Sequence, residues 1–208
     1  MRLPRAWVVP VLVLGAVGCS AALPARTDER VVHPAAPPIA PFDECTVYTA
    51  TERATARDHR AVCSALVYPS SPPAGGPHFG QWADFGVYDA PVPWGFLVHA
   101  LEHGAIVLAY RCEAGPECDA LRAELAGVVA GFGLDPICRT GDAESRFIVV
   151  PDPTLEWAVA AVAWEHLYLA TCLDRPTLDE FVAAHYGHGP EDLCAPGVDR
   201  SATGWCPP

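Results

Sequence analysis

The segment PWGFLVHALEHGAIVLAY, residues 93–110, has the pattern of a helix that leads directly into a buried strand. Pro93 stands where proline favours the first position of a helix, and Gly104 stands where glycine favours the position just after the end. These boundaries predict a helix over residues 93–103. The next six residues, AIVLAY (105–110), form a continuous apolar run of strand length. The segment therefore predicts one helix and one buried strand joined by a glycine.

The rest of the chain extends this alternation of helices and strands. Residues 117–131 repeat Leu and Val at helical spacing, and residues 147–150 form a β-branched strand that stops before two prolines. Residues 157–171 predict either one bent strand or two short ones. Residues 177–186 predict a helix capped by Thr177. This order predicts an α+β fold, with helices packed on a small, mainly antiparallel sheet. We expect disulfides to cross-link this fold.

The composition excludes several classes of function. The 208 residues carry a formal net charge of −12 and include no lysine, so all the cations apart from histidine are arginines. An acidic, lysine-free surface repels phosphate backbones, and we therefore expect no nucleic-acid partner. The absence of lysine also excludes Schiff-base chemistry and a P-loop.

The N-terminus resembles the export signal of a bacterial lipoprotein. An apolar run over residues 7–17 follows a short cationic start and is too short to span a bilayer. Small residues precede Cys19, as in a lipobox, although Ala16 stands where Leu is usual. We expect Cys19 to be acylated, with palmitate among its acyl groups, and to anchor the chain in the cell envelope; the alternative is an ordinary cleaved signal with an incidental cysteine. The predicted organisation is a lipoprotein signal peptide over 1–19, a Pro/Ala-rich tether over 20–41 and a single globular domain over 42–208.

Eight cysteines remain after Cys19, an even number that predicts up to four disulfides in an exported chain. They are Cys45, Cys63, Cys112, Cys118, Cys138, Cys172, Cys194 and Cys206. Closure of short loops favours Cys45–Cys63 and Cys194–Cys206. The alternatives are free thiols or metal ligands, although no CxxC pair is present to suggest a zinc ribbon or a thioredoxin-like site.

Histidines in and near the first helix predict a metal site. His99 and His103 are four residues apart, which on a helix places their side chains about 6 Å apart, close enough to share an ion. A Pro/Gly-rich loop brings His78 to a fixed place, and Glu102 lies between the helical pair. Neutral imidazole suits zinc and copper(II). The metal candidates are therefore His78, His99, His103 and Glu102, with Glu191 and His166 as additional candidates.

Other interpretations of the same residues remain open. Paired helical histidines also occur as hydrogen-bonded core residues, which would make the chain a non-catalytic structural or partner-binding lipoprotein. The H-x-x-E-H pattern of residues 99–103 is that of inverted zincins, in which Glu102 would act as base in a metal-dependent hydrolase. His185 and His188 are expected at an exposed helix end, and His33 and His59 are expected to face solvent.

These motifs together resemble a bacterial secreted family known as a domain of unknown function (number thirty-one-oh-five). The matching motifs are PPAGGPH (72–78), GVY (86–88), HALEHG (99–104), AW (163–164) and GPE (189–191). The resemblance implies that His78, His99, Glu102, His103 and Glu191 belong to one shared pattern. Two departures are Ala74-Gly75, where the family has Thr and Ser, and Glu165, where a glycine is common.

The function that we expect is an envelope-anchored lipoprotein that binds a divalent transition metal, zinc or copper(II), through a histidine-rich site. Its expected partner is the membrane, through the lipid anchor; a protein partner is unknown.

Overall fold

The computed structural model describes residues 26–54, 56–138 and 143–206. In chain order the elements are β1 (Arg26–Val32), β2 (Val47–Glu52), β3 (His59–Arg60), β4 (His78–Phe79), β5 (Gly86–Val87), α1 (Trp94–Glu102), β6 (Ile106–Tyr110), α2 (Pro116–Phe132), β7 (Phe147–Pro151), β8 (Val159–Ala163), β9 (His166–Ala170) and α3 (Arg175–His185). Within the described ranges, no helix is long and apolar enough to cross a membrane.

Seven strands form one sheet in the order β1-β2-β9-β8-β6-β7-β5, and β3 pairs with β4 in a separate two-stranded sheet. Four of the pairings in the large sheet are antiparallel, and only β5–β7 and β6–β7 are parallel. The predicted α+β class and mainly antiparallel sheet are therefore confirmed. The sheet has more strands than the small one we expected. We did not predict β1, β2 and β5, because their sequences carry no strong apolar pattern. The strand β1 lies within the segment that we predicted to be a tether (20–41), and it pairs along β2 at the edge of the sheet.

Both faces of the central strands are covered, which explains their continuous apolar sequences. Alternate residues of β6, such as Val107 and Ala109, belong to the core that α1 covers, whereas Ile106 and Leu108 belong to the core under α2 and α3. The segment 157–171 forms two short strands, β8 and β9, as one of our two interpretations had it. One helix thus lies on one face of the sheet, and two lie on the other.

The turn between β8 and β9 holds Glu165 in an uncommon backbone conformation. Glu165 has a φ of 65°, a left-handed conformation that favours glycine. Its carboxylate accepts a hydrogen bond from the amide of Ala54, at 2.9 Å. This contact provides a role for a side chain that the backbone conformation alone disfavours.

The predicted N-cap of the last helix was wrong, because the observed N-cap lies three residues earlier in the chain. Asp174, not Thr177, is the N-cap residue, and its carboxylate accepts a hydrogen bond from the amide of Thr177 at 3.1 Å. Pro176 occupies the first turn, where proline lacks only an amide that would be unpaired in any case. The helix therefore begins at Arg175, two residues earlier than predicted.

Four disulfides are present, but the two pairings that we favoured, Cys45–Cys63 and Cys194–Cys206, are wrong. The observed bonds are Cys45–Cys172, Cys63–Cys206, Cys112–Cys118 and Cys138–Cys194. Short-loop closure failed because strand pairing brings distant cysteines together: Val47 lies opposite Ala170, and the same register continued by two residues places Cys45 opposite Cys172. Disulfides of this number indicate that the chain folds in an oxidising, extracytoplasmic compartment.

Candidate metal centre

The helix α1 is buried along nearly its whole length and carries two of the predicted ligands. Every residue from Gly95 to Glu102 is buried, and the helix ends where Gly104 adopts a φ of 84°. His99 and Glu102 are three residues apart, a spacing that places two side chains on the same face of a helix. Because this face lies against the core rather than solvent, both polar side chains must be satisfied inside the protein.

The Pro/Gly-rich loop brings His78 to the same place, as its sequence predicted. The hydroxyl of Tyr68 donates a hydrogen bond to the carbonyl of Pro77 at 2.9 Å, which fixes the end of the loop. His78 then begins β4, whose parallel partner β3 places His59 directly beside it. The two-stranded sheet therefore adds a second histidine, which we had expected only to face solvent.

Four side chains converge in a group that could hold a metal ion: His59, His78, His99 and Glu102, with one candidate ligand atom each and all four atoms within 4.8 Å of one another. The Nε2 atom of His78 lies 3.0 Å from Oε2 of Glu102, and Nε2 of His59 lies 3.7 Å from the same oxygen. The rings of His59 and His99 are stacked, with centroids 4.7 Å apart. We call this group the His59/Glu102 cluster.

Hydrogen bonds to backbone carbonyls fix the tautomers of the two buried histidines of the cluster, His78 and His99. Nδ1 of His78 lies 2.9 Å from the carbonyl oxygen of Gly76, and Nδ1 of His99 lies 2.6 Å from that of Phe79. A carbonyl oxygen only accepts, so each Nδ1 must carry the proton and donate it. In the neutral ring Nε2 is then a bare acceptor. Burial, followed by the neighbouring histidine charges, lowers the pKa of His99 to about 4, so this ring is neutral at pH 7 despite the opposing effect of the Phe79 carbonyl.

The Nε2 atom of His78 is buried, and among the described residues it has no hydrogen-bond partner. The carboxylate oxygen of Glu102 is close enough, but it lies off the direction in which a ring N–H would point. Orphaned buried nitrogens of this kind are rare in folded proteins and often mark functional sites. A buried lone pair beside a buried carboxylate is the electrostatic environment that a cation stabilises.

His103, the fourth predicted ligand, is not part of the His59/Glu102 cluster. It follows the last residue of α1, and its ring meets Trp82 edge-on, with centroids 4.4 Å apart. Its Nε2 lies 3.3 Å from a carboxylate oxygen of Glu191, and burial lowers its pKa to about 4. In the zincin-like arrangement His99 and His103 would be ligands and Glu102 the base, whereas in the His59/Glu102 cluster Glu102 is among the candidate ligand atoms and His103 is not.

The additional candidates lie elsewhere or play a different part. His166 stacks on His185 with ring centroids 3.9 Å apart, at the start of β9 and the end of α3. Glu191 contacts His103 rather than the cluster. His59 was missed as a candidate because nothing in its local sequence marks it; only the pairing of β3 with β4, nineteen residues later in the chain, reveals it.

Residues 59–196 match the model of a family described as "Protein of unknown function (DUF3105)". The match begins at His59 and includes every residue of the cluster. No curated protein and no solved structure is significantly similar to the chain.

Proposed function

The chain belongs to the DUF3105 family, whose function is unknown, and we propose that it binds one divalent transition-metal ion, zinc or copper(II), through His59, His78, His99 and Glu102. The observation that carries this proposal is the orphaned Nε2 of His78 beside the buried carboxylate of Glu102.

The chemistry of the donors supports a cation rather than a network of hydrogen bonds. Both buried rings of the cluster use their Nδ1 protons on backbone carbonyls, so in the neutral rings Nε2 carries a lone pair, and that of His78 lies 3.0 Å from the carboxylate of Glu102 with no proton to donate to it. Within the described chain, the only ion-pair partners of Glu102 are His59 and His78. A buried carboxylate without a cation is costly, and a divalent ion among these donors would remove that cost.

The donor set favours zinc or copper(II) over calcium and magnesium. Three imidazoles and one carboxylate match the ligands of both transition ions, whereas calcium and magnesium prefer oxygen donors. Backbone carbonyls that hold the far nitrogen of each ring are the usual support of metal-binding histidines. In a tetrahedral zinc site the ligand atoms are ~3.3 Å apart. The two candidate ligand atoms of the cluster that are farthest apart must therefore move closer together when the ion binds.

We further propose that the domain is held at the cell envelope by a lipid on Cys19. The lipobox-like sequence before Cys19 supports this, and the four disulfides are consistent with an extracytoplasmic domain. Residues 1–25, which include the predicted signal peptide, lie outside the described residues.

The test is the metal content of residues 20–208 after export into an oxidising compartment, measured by elemental mass spectrometry. We expect near-stoichiometric zinc or copper in the wild type and loss of the metal in the His78→Ala/His99→Ala variant. The matched control is His166→Ala/His185→Ala, which removes two partly buried, stacked histidines outside the cluster and should keep the metal. Equal metal content in all three proteins would contradict the proposal.

A structural role for the same histidines is the second candidate, and one observation favours it. His78 bonds the carbonyl of Gly76 in the loop and His99 bonds that of Phe79 in β4, so both stabilise the fold even without an ion. In that case the wild type would contain no metal, and the double cluster variant would only be less stable. The activity would then have to reside in a partner-binding surface.

A further inference from the structure

The four side chains of the cluster differ sharply in exposure. The side chain of His78 is 0% exposed and that of Glu102 is 6% exposed, whereas that of His59 is 55% exposed. His99 is 4% exposed as a residue. Solvent therefore reaches the cluster from the side of His59.

The four residues also differ in how firmly they are held. His99 and Glu102 belong to a buried helix, and the rings of His78 and His99 are each fixed by a carbonyl. His59 belongs to a strand of only two residues. Two backbone hydrogen bonds hold this strand: the amide of His78 donates to the carbonyl of Asp58 at 3.1 Å, and the amide of Gly80 donates to that of Arg60 at 3.2 Å. Its ring lies over His99, and no hydrogen bond of that ring was found among the described residues.

We propose that His59 is the exchangeable ligand of the centre: its departure opens one coordination position, which takes a single monodentate donor from outside the protein. This inference rests on the proposed metal site. The remaining three ligands, His78, His99 and Glu102, form the part of the site that stays in place. The incoming donor is of the imidazole class, because imidazole suits both zinc and copper(II).

This arrangement separates the site from purely structural zinc sites, in which four protein ligands close the coordination sphere. Sites that exchange ligands keep three protein ligands and one open position. With one exposed ligand on a short strand, the cluster has the geometry of the second kind once His59 moves away. The ion would then be accessible to a donor of another molecule, as delivery or acquisition of metal requires.

The experiment uses the exported chain, residues 20–208, loaded with cobalt(II), whose visible absorption reports its ligands. Wild type, His59→Ala and a control, His33→Ala, are compared; His33 is also an exposed histidine, beside Thr46 and outside the cluster. Two quantities are measured: the rate at which cobalt passes to an excess of a chromogenic chelator, and the change of the absorption spectrum when imidazole is added.

We expect His59→Ala to keep one cobalt ion but to release it at least about tenfold faster than wild type and His33→Ala. Imidazole should change the spectrum of His59→Ala at a lower concentration than it changes those of wild type and His33→Ala, in which it must first displace His59, and it should slow the release of cobalt from His59→Ala. Equal release rates in all three proteins, with no effect of imidazole, would overturn the proposal while leaving the metal site intact. Complete loss of cobalt from His59→Ala would also overturn it, since His59 would then be indispensable. A wild type that binds no cobalt, zinc or copper would instead refute the metal site itself.

Discussion

Gly189 packs against the carbonyl oxygen of Glu102 so closely that a Cβ atom at position 189 would lie 2.3 Å from it and 2.3 Å from the amide nitrogen of Gly104. Two backbone hydrogen bonds secure this contact: Glu191 donates to the carbonyl of Glu102, and Gly187 donates to that of Gly104, both at 2.9 Å. The turn over residues 187–191 thus holds the end of α1, where the carboxylate of the candidate metal centre lies.

Replacement of Gly189 by alanine should therefore damage both the fold and the site. The added methyl group must displace backbone atoms, and overpacking of this kind costs about 1–3 kcal/mol of unfolding free energy. Because the displaced backbone carries Glu102, zinc affinity should fall as well. Urea unfolding and zinc titration measure the two effects.

The control is Gly127→Ala, at a position in α2 where an added Cβ meets nothing within 4 Å. Alanine in a helix interior is favoured over glycine, so this variant should gain about 0.5–1 kcal/mol and keep its zinc affinity. If Gly189→Ala behaves like Gly127→Ala, the turn does not constrain the end of α1.

Glu102→Gln distinguishes a metal ligand from a structural carboxylate. The amide removes a buried charge and offers an N–H to the orphaned Nε2 of His78, so the metal-free protein should be as stable as wild type or more stable by up to about 1.5 kcal/mol. Zinc affinity should nevertheless fall at least about tenfold. Unfolding in the presence of a chelator and calorimetric zinc titration measure these effects.

The matched control for this variant is Glu191→Gln, which changes a carboxylate that pairs with His103 outside the cluster. Its zinc affinity should remain close to that of wild type. A metal-free Glu102→Gln protein that is markedly less stable, with unchanged zinc affinity, would show that the carboxylate is structural.

The sequence predicted the elements whose evidence is local. The helix α1 and the strand β6 could be predicted from the sequence. Pro93 and Gly104 mark the two ends of the helix, and the residues after Gly104 form a continuous apolar run. Three members of the cluster could also be predicted from local sequence. His99 and Glu102 belong to the same predicted helix, and a Pro/Gly-rich loop precedes His78.

The features that the sequence did not reveal depend on contacts between distant segments. The pairing of β2 with β9 determines the Cys45–Cys172 bond, and the pairing of β3 with β4 brings His59 to the cluster. His103 was predicted as a ligand because helical spacing places its ring near that of His99, with centroids 4.7 Å apart; it lies outside the group of four converging atoms, and its part in metal binding stays a prediction.

The four disulfides should contribute unequally to stability. Cys45–Cys172 joins residues 127 positions apart, whereas Cys112–Cys118 joins residues 6 apart. Loop-closure entropy predicts that removal of the first costs about 5 kcal/mol and removal of the second about 2 kcal/mol. Double alanine variants of each pair, compared by urea unfolding, test the ranking; equal losses would mean that effects other than chain entropy dominate.

Cys19→Ala tests the lipid anchor. Cys19 lies outside the described residues, so this prediction depends on the lipobox-like sequence alone. In a lipoprotein-processing host, wild type should incorporate labelled palmitate and sediment with membranes, and the variant should do neither. The Cys112→Ala/Cys118→Ala variant controls for the loss of cysteine as such and should keep the label. A labelled Cys19→Ala protein would place the lipid at another residue.

The stacked pair of His166 and His185 predicts that acid destabilises the protein independently of the metal. Burial lowers the pKa of His185 to about 4, helped by the charges of His166 and His188, from the ordinary value of 6.5 in the unfolded chain. Between pH 6.5 and 4 the unfolded chain therefore binds a proton that the folded protein does not, so the free energy of unfolding falls as the pH falls. Above pH 6.5 this contribution vanishes, and below pH 4 it is constant.

His185→Phe keeps an aromatic ring against His166 and Phe181 but cannot titrate. Its loss of stability between pH 6.5 and 4, measured by urea unfolding with a chelator present, should be smaller than that of wild type. The dependence should persist in part, because burial also lowers the pKa of His99 and His103 to about 4. His33→Phe, at an exposed site, should retain the full wild-type dependence. Parallel curves for wild type and His185→Phe would mean that the pKa of His185 is the same in the folded and unfolded states.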